Sequence, residues 1–309
     1  MSSSVAPKLS IIMPAYNHEN FVGEAIEGVL NQTFTDYEFI IIDDGSQDAT
    51  AEVIKSYQDD RIHYFYQDNQ DAFNAINNGM AKAKGEFWAI LNSDDVYEPN
   101  RFDVLFDFQV KNNADCLFTD VYAIDDDSHP LDDPAFGWNQ WHQKNRQKYT
   151  DLNDLYAGFL HGNFMVTTSN LFMKASLAKQ VGGFAPLRYL HDYDYIFRLM
   201  LASPDACFYL DDQQLLKYRI HGSNTLSEGA ILARHQDQQV IRQYMLAAIN
   251  CPTDAELTQN RVNTAVDRLI ALEHELLAVQ AELSSKPEAS IPAKGLKAVV
   301  QRASRKLRG

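Results

Sequence analysis

Two kinds of apolar pattern alternate along the first third of the chain. Short β-branched runs, each of strand length, occupy residues 9–15, 37–42, 62–66 and 86–91. Apolar residues at helical spacing separate them at residues 21–31, 51–57 and 73–83. Alternating strands and helices are typical of parallel βαβ units joined by right-handed crossovers. The sequence therefore predicts an α/β fold in which helices flank a mostly parallel sheet.

Polar and acidic residues follow the predicted strands. Asp43 and Asp44 close the second strand, and Asp94 and Asp95 come directly after the fourth. Because the carboxyl ends of parallel strands share one edge of the sheet, we expect these carboxylates to converge there with Tyr16. Adjacent carboxylates at that edge are costly unless a positive charge lies among them. A divalent cation, Mg2+ or Mn2+, that holds the phosphates of a substrate would supply this positive charge.

The pattern is less regular after the fourth strand. Residues 99–124 are interpreted as a helix and a strand, and residues 125–165 as an irregular insert. Trp138 and Trp141 lie in this insert, where they either stack on a bound ligand or hold the insert against the body. Residues 164–175 follow as a strand that enters a helix. We expect the insert to determine specificity, because specificity commonly resides in such segments.

Long helical patterns begin near residue 228. Residues 231–249 and 254–283 predict a helical appendage that packs on the body or on a copy of itself as a homodimer. Residues 287–292 are interpreted as a linker, and residues 295–307 as a short basic helix. The predicted parts are the α/β domain at 1–226, the helical appendage at 227–286, and a linker with a basic tail at 287–309.

Charge is distributed unevenly over the 309 residues, whose net charge is −15. Residues 294–309 carry six basic side chains and no acidic one, so the rest of the chain has 27 − 6 = 21 basic against 42 acidic side chains. Such an acidic body argues against general binding of nucleic acid. The basic segment either lies peripherally on an anionic membrane surface or is a solubilising tail.

The cysteines and the apolar runs indicate in which cellular compartment the protein lies. Cys116, Cys207 and Cys251 show neither a disulfide framework nor metal-type spacing, which indicates a reducing compartment. The first residues lack a charged segment followed by an apolar one, and no apolar run reaches membrane-spanning length. We expect a cytoplasmic protein, located at the inner face of the membrane if the basic segment binds there.

Several short motifs stand out along the chain. They are Ser10–Asn17 (SIIMPAYN), Gln32–Phe34 (QTF), Ile41–Ser46 (IIDDGS), Asn92–Asp95 (NSDD), His191–Asp194 (HDYD) and Tyr218–Ser223 (YRIHGS). Together they resemble the motifs of the family 2 glycosyltransferases of the GT-A fold. The resemblance covers about residues 8–226, and no glycine-rich phosphate loop is present. It implies a Rossmann-like GT-A domain with metal-dependent, inverting activity. The implied donor is a nucleotide-diphosphate sugar, foremost a UDP-sugar, and the acceptor a saccharide or lipid-linked hydroxyl in polysaccharide or glycoconjugate synthesis.

The same resemblance implies roles for individual residues. Asp94 would bind the metal as the last residue of a D-x-D element, whose first position is here Asn92. Asp44 would accept the imide N–H of uracil, Tyr16 would stack on the base, and Arg219 could pair with phosphate. The implied nucleotide contacts are Pro14, Ala15, Tyr16, Asn17, Asp43, Asp44, Asn77, Asn92, Ser93 and Arg219. The implied metal ligands are Asp94, Asp95 and His221.

Two acidic residues open a predicted helix at His191. Asp192 and Asp194 could simply stabilise the start of this helix, because its dipole favours negative charge there. The resemblance instead implies a general base that deprotonates the acceptor hydroxyl, with Asp192 as first candidate and Asp194 as second. A single base without an enzyme nucleophile implies one displacement with inversion.

Two other functions stay open from the sequence. A nucleotidyltransferase would need a basic triphosphate-binding loop near the first strand, and none is visible. A degenerate sugar-nucleotide-binding or scaffold protein is suggested by Asn92, and by Ile76 where the resembling family often has Arg. Turnover of UDP-sugars with a divalent metal separates these functions from glycosyl transfer.

Overall fold

The computed structural model describes residues 6–222 together with positions 240, 243–244 and 263–264, and its centre is an eight-stranded sheet. In chain order the strands are β1 Leu9–Ala15, β2 Tyr37–Asp43, β3 Ile62–Tyr66, β4 Phe87–Ile90, β5 Val96–Tyr97, β6 Cys116–Ile124, β7 Phe172–Lys174 and β8 Cys207–Arg219. Their spatial order is β3-β2-β1-β4-β7-β6-β8-β5. Parallel pairing joins β3, β2, β1 and β4, and also β6 with β8. Strand β7 is antiparallel to both of its neighbours, and β5 is antiparallel to β8.

Helices flank the sheet, which confirms the predicted α/β class. They are α1 Val22–Leu30, α2 Thr50–Ser56, α3 Ala72–Lys82, α4 Arg101–Asn112, α5 Gly137–Leu152, α6 Leu155–His161, α7 Ala175–Val181 and α8 His191–Ala202. A 3₁₀ turn at Thr168–Asn170 precedes β7. The first three crossovers each place one helix between parallel strands, as the alternating apolar pattern predicts.

Central strands β1, β2 and β4 are buried along their whole length, because helices cover both faces of a parallel sheet. Alternate residues of β1, such as Ile11 and Met13, belong to the same core as Val22 of α1. The opposite face of β1 meets α3 so closely that a Cβ atom on Gly79 would lie 2.3 Å from Cγ2 of Ile12. The sheet is therefore held rigidly below its carboxyl edge.

The register of the parallel strands places three chain segments side by side at this carboxyl edge. Ala15 of β1 is opposite Asp43 of β2, which is opposite Tyr66 of β3. The residues that follow each strand, including Tyr16 and Asp44, therefore lie at one level. We call this edge, with the loops that follow β1, β2, β3, β4 and β8, the strand-end edge.

The prediction that residues 125–165 are irregular is wrong, because α5 and α6 lie there. Apolar periodicity does not predict helix α5, because its buried side chains are polar. One of them, His142, forms a hydrogen bond with Asp120 at 2.8 Å. Its Trp138 stacks on His142 and Tyr218, with ring centroids 5.0 and 5.7 Å apart, which favours the packing interpretation. Trp141 is 43% exposed.

The C-terminal predictions fall outside most of what the structure describes. Among the described residues, no helix is both long enough and apolar enough to cross a bilayer. Apart from the few positions named above, the predicted helical appendage, linker and basic segment lie outside the described residues, so the domain limits stay predictions. The chain divides into two units after Val262, and every element above belongs to the first unit.

Candidate active site

Three side chains from separate segments meet at the strand-end edge. They are His18 after β1, Asp94 after β4 and His221 after β8, and their ligand atoms all lie within 4.8 Å of one another. Oδ2 of Asp94 is 3.1 Å from Nε2 of His221 and 4.0 Å from Nε2 of His18. The other ring nitrogen of His18, Nδ1, lies 2.8 Å from the hydroxyl of Ser93, which orients the imidazole. One carboxylate oxygen and two imidazole nitrogens fit a divalent cation such as Mn2+.

The surroundings of this group keep its carboxylate charged. Burial opposes ionisation of Asp94, but His18 and His221 outweigh that penalty and hold the pKa of its carboxyl below the usual range. The ring of Phe21 closes one side, 4.7 Å from the His221 ring and 5.9 Å from the His18 ring. A cavity of about 510 Å³ opens beside His221 and is lined by Asp125, Asp126, Asp127, Leu131, Phe136, Ile220 and Gly222. The group therefore borders this opening through His221.

Asp95 does not join its neighbour Asp94 in this group. Its buried carboxylate accepts hydrogen bonds from the hydroxyls of Ser169 at 2.6 Å and Thr167 at 3.1 Å, and from the backbone N–H of Arg219 at 3.1 Å. Burial, followed by repulsion from Asp94, raises the pKa of Asp95 to about 8. Asp95 therefore bonds to the framework and lies outside the group of His18, Asp94 and His221, and its place among the metal ligands stays a prediction.

Asn92, at the first position of the D-x-D element, is also held by the protein. Its Nδ2 donates to Oγ1 of Thr167 at 2.9 Å, and its Oδ1 accepts from Thr168 at 3.2 Å. The backbone N–H of Asn92 donates to Oγ of Ser169 at 2.9 Å. Asn92 and Asp95 thus share one network with the 3₁₀ turn, and this network fixes the loop that carries Asp94.

The guanidinium of Arg219 is enclosed by the protein. It is fully buried and donates to the backbone oxygens of Asp94 at 2.9 Å and Asp125 at 2.7 Å. It also pairs with Glu24 of α1 at 2.5 Å. Arg219 thus joins three segments around the site, and its predicted phosphate contact stays a prediction.

The nucleotide-binding prediction centres on Asp44, which is buried at the strand-end edge. Its Oδ1 accepts from Nε2 of Gln67 at 2.6 Å and from the backbone N–H of Gln70 at 2.9 Å. Burial raises the pKa of Asp44, and the two hydrogen bonds only partly offset that effect. Tyr16 lies at the same level and is 43% exposed, so its ring is accessible for stacking.

Several other predicted contacts shape the loops around Asp44. The carboxylate of Asp43 accepts from the backbone N–H of Ser46 at 2.9 Å and from the hydroxyl of Tyr64 at 2.8 Å. The bond from Ser46 closes the tight turn that contains Gly45, whose φ of +81° suits a glycine. Asn17 joins the first two loops through Oδ1, which accepts from the backbone N–H of Gln47 at 2.7 Å.

Three further predicted nucleotide contacts have internal positions. Pro14 and Ala15 are buried at the end of β1, and the carbonyl of Ala15 accepts the N–H of Asp44 at 2.8 Å. The amide of Asn77 donates to the carbonyl of Phe184 at 3.0 Å and accepts its N–H at 2.7 Å. Asn77 therefore holds the turn before α8, and its predicted nucleotide contact stays a prediction.

The two candidate bases at the start of α8 have different surroundings. Asp194 pairs with Arg198 at 2.8 Å and accepts the hydroxyl of Tyr244 at 2.7 Å. Asp192 is bonded to a neutral partner, Nδ2 of Asn163, at 2.8 Å. Burial raises the pKa of Asp192, and the nearby His191 opposes the rise. Within the described part of the chain no arginine pairs with Asp192, and a buried carboxylate with a raised pKa is the better proton acceptor.

Sequence reasoning missed three residues that the structure brings to the site. His18 lies three residues beyond the first predicted strand and Gln67 one residue beyond the third, so the strand-end argument could have found both from the sequence. Asn163 has no such signal, because it contacts Asp192 only through tertiary packing of the segment before β7 on α8.

Solved structures show the same GT-A fold. Residues 1–349 of S. aureus TarS, solved with UDP-GlcNAc, align with a TM-score of 0.65 and 16% identity over 85% of this chain and 73% of that chain. The mannosyltransferase PcManGT from Pyrobaculum calidifontis, solved with GDP-Man and Mn2+, aligns with a TM-score of 0.57 and 15% identity over 92% of this chain and 82% of that one. At these identities the likeness establishes the fold and leaves the ligands of this chain open.

Sequence comparison then gives the family. The model for glycosyl transferase family 2 matches residues 10–174, and the chain belongs to that family. A glycosyltransferase of Rickettsia typhi is 33% identical over 233 residues, which cover 72% of this chain and 67% of that protein. The matched segments span between 18% and 67% of the five Rickettsia glycosyltransferases that it resembles.

Proposed function

We propose that the protein is an inverting, metal-dependent glycosyltransferase. It moves a sugar from a nucleotide-diphosphate donor, with UDP-sugars the first to be tested, to a hydroxyl of a saccharide or lipid-linked acceptor in polysaccharide or glycoconjugate synthesis. Family membership supports sugar transfer. The UDP-GlcNAc bound to TarS and the Mn2+ bound to PcManGT support the choice of donor and metal.

The observation that carries the proposal is the convergence of His18, Asp94 and His221 at the strand-end edge. These residues would hold the cation through one oxygen and two nitrogens, a donor set that suits Mn2+ better than Mg2+ because Mg2+ prefers oxygen ligands. When bound, the cation supplies Lewis-acid stabilisation of the departing diphosphate. Ser93 keeps the His18 ring oriented, and Phe21 packs against both histidine rings.

The protein's own part in bond exchange is proton transfer at Asp192. A carboxylate oxygen of Asp192 takes the proton of the acceptor hydroxyl as that oxygen attacks the anomeric carbon. The new bond joins the anomeric carbon to the acceptor oxygen, and the bond to the diphosphate oxygen breaks with its electron pair on the nucleotide. Attack from the face opposite the leaving group inverts the anomeric centre, and no enzyme-bound sugar forms.

A binding or scaffold function is the second candidate, because Asn92 leaves the D-x-D element with one fewer charge. A single assay separates the two functions. The purified protein is incubated with Mn2+ and a panel of UDP-sugars and acceptor saccharides, and released UDP is measured. If UDP is released by the wild type and by His63→Ala but not by Asp94→Ala, the result supports glycosyl transfer. Nucleotide-sugar binding by calorimetry without any UDP release would establish the scaffold function instead.

A further inference from the structure

A row of aromatic rings leads from the candidate site to the surface of helix α5. Trp138 stacks on Tyr218 of β8 with ring centroids 5.7 Å apart, and on His142 at 5.0 Å. Trp141 lies beside Trp138, with centroids 6.4 Å apart and the rings tilted by 46°. We call Tyr218, Trp138 and Trp141 the aromatic track. Its outer member, Trp141, is 43% exposed, although tryptophan is on average a highly buried residue.

The inner end of the aromatic track lies close to the reacting groups. Tyr218 precedes Arg219, whose backbone N–H donates to the carboxylate of Asp95 at 3.1 Å. Burial, followed by three negative charges, raises the pKa of Tyr218, and these charges belong to Asp95, Asp94 and Asp192. Charges shift a pKa in this way when they are near, so Tyr218 lies close to the metal-binding carboxylate and to the proposed base.

The cavity beside His221 reaches the start of the same helix. Leu131 and Phe136 line this cavity, and Phe136 directly precedes the first residue of α5. Nδ2 of Asn139 donates to the carbonyl of Leu131 at 2.7 Å, which holds the cavity wall against the helix. Trp141 follows Phe136 by five residues, about 7.5 Å along a helix axis. A sugar ring linked to one in the cavity can bridge that distance.

The track and the cavity match the two kinds of surface that a sugar has. A pyranose ring has an apolar face of C–H groups, which packs on aromatic rings, and a rim of hydroxyl groups, which donate hydrogen bonds. Trp141 offers the aromatic surface. The cavity lining offers three carboxylates as acceptors, those of Asp125, Asp126 and Asp127. The same carboxylates would repel an acidic sugar, so they favour a neutral one.

We infer that the acceptor is a neutral saccharide chain and that Trp141 is a platform for a sugar unit beyond the one that receives the transferred sugar. This inference rests on the proposed function, because it names the acceptor class of the same reaction. Trp141 contributes affinity for the acceptor and takes no part in bond exchange. Oligosaccharides that reach Trp141 should therefore bind more tightly than single sugars of the same kind.

Binding of the full chain to an array of immobilised saccharides is the first test, because it needs neither donor nor turnover. The array carries neutral and uronic-acid chains, from single sugars to hexasaccharides. We expect a neutral series whose affinity rises about 10-fold from mono- to trisaccharide, and Trp141→Ala should lose this rise while Trp141→Phe keeps part of it. Phe65→Ala is the matched control, because Phe65 is an aromatic residue of β3 with a similar exposure of 37%.

The outcomes separate this inference from the proposed function. If no neutral series on the array shows a rise with chain length, or if folded Trp141→Ala keeps the rise, the inference is overturned and the proposed function stands. Absence of UDP release in the transfer assay overturns the proposed function, whatever the array shows. With the tightest-binding neutral chain as acceptor, Trp141→Ala should raise KM about 10-fold at unchanged kcat. A loss confined to kcat would overturn the platform role.

An anionic membrane is the competing partner for this part of α5, because the exposed Lys144 and Lys148 follow Trp141 by about one and two helical turns. The aromatic track favours the saccharide, since a membrane contact would not require rings that continue inward to Tyr218. Co-sedimentation of Trp141→Ala with phosphatidylglycerol vesicles distinguishes the two partners. Sedimentation equal to that of wild type supports the inference. Reduced sedimentation with unchanged saccharide binding would assign Trp141 to the membrane and overturn the inference.

Discussion

At the scale of single residues, three acidic pairs serve the candidate site, and the protein encloses one carboxylate of each pair with its own donors. The pairs are Asp43 with Asp44, Asp94 with Asp95, and Asp192 with Asp194. Asp43, Asp95 and Asp194 are bonded to hydroxyl, backbone or guanidinium groups of the framework. Holding one carboxyl group of a pair with internal donors makes it less costly to leave its neighbour for a ligand.

A metal-binding prediction follows for His18. His18→Ala removes one of the two imidazole donors near Asp94, so the affinity for Mn2+ should fall by about 10-fold or more. Electron paramagnetic resonance of free Mn2+, titrated against the protein without any nucleotide, measures this directly. His63→Ala is the matched control, because His63 is a half-exposed histidine of β3 that lies outside the cluster. Equal Mn2+ affinity in the two variants would remove His18 from the site.

A second prediction separates Asp192 from Asp194. Asp192→Asn cannot take a proton at neutral pH, so kcat should fall by about 10²–10⁴-fold while the Kd for UDP changes little. Asp194→Asn weakens an ion pair with Arg198 and a hydrogen bond from Tyr244, so it should cost about 2 kcal/mol of unfolding free energy. Steady-state kinetics and urea denaturation of both variants test these expectations. If folded Asp194→Asn lost more kcat than Asp192→Asn, Asp194 would be the general base.

The pH dependence of the same variants follows from the raised pKa of Asp192. A base acts when ionised, so the rate should rise with pH through a midpoint above the value of about 4 for an ordinary Asp. The raised pKa also means that the charged form is less stable in the folded state than in the unfolded state. Asp192→Asn should therefore be more stable than wild type at pH 7, and this difference should disappear below about pH 4. If Asp192→Asn remained more stable than wild type below about pH 4, the gain could not come from a raised pKa of Asp192.

At the scale of elements, periodicity predicts those elements whose buried face is apolar. Strands β1 and β2 are buried throughout and were predictable from short apolar runs alone. Strand β8 escaped prediction because the exposed Asp211 and Asp212 interrupt its apolar pattern. Helix α5 escaped because the face it buries carries polar groups that bond across the fold. The loops of the candidate site were located by strand order, whereas contacts such as Asn163 with Asp192 depend on tertiary packing that no local pattern records.

A packing prediction concerns the contact between α3 and β1. Gly79→Ala should lower the unfolding free energy by about 1–3 kcal/mol, because the new Cβ would lie 2.3 Å from Cγ2 of Ile12. Helix propensity alone predicts the opposite, a gain of about 1 kcal/mol. Gly137→Ala in α5 is the control, since nothing lies within 4 Å of its added Cβ. If urea denaturation gives Gly79→Ala an unfolding free energy equal to or above that of wild type, α3 is not packed tightly on β1.

At the scale of the whole molecule, charge separates residues 294–309 from the rest of the chain. That segment has six basic residues and no acidic one, while the remaining residues have 21 basic against 42 acidic side chains, which leaves them strongly negative. An anionic membrane would repel the acidic part and attract the basic segment. Because the attraction fades within a Debye length of the surface, binding through this segment would hold the enzyme close to the membrane. A lipid-linked acceptor would then lie near the enzyme.

Co-sedimentation with vesicles tests this membrane hypothesis. Each Lys or Arg near an anionic surface contributes about 1 kcal/mol, so six of them should hold the full chain on phosphatidylglycerol-rich vesicles at low salt. Binding should weaken at high salt, be absent with phosphatidylcholine vesicles, and be lost when the chain is truncated after Pro292. A variant with the six basic residues changed to Gln keeps the length and is the matched control for charge. Equal sedimentation of truncated and full-length protein would show that the segment only aids solubility and that the acceptor need not lie in a membrane.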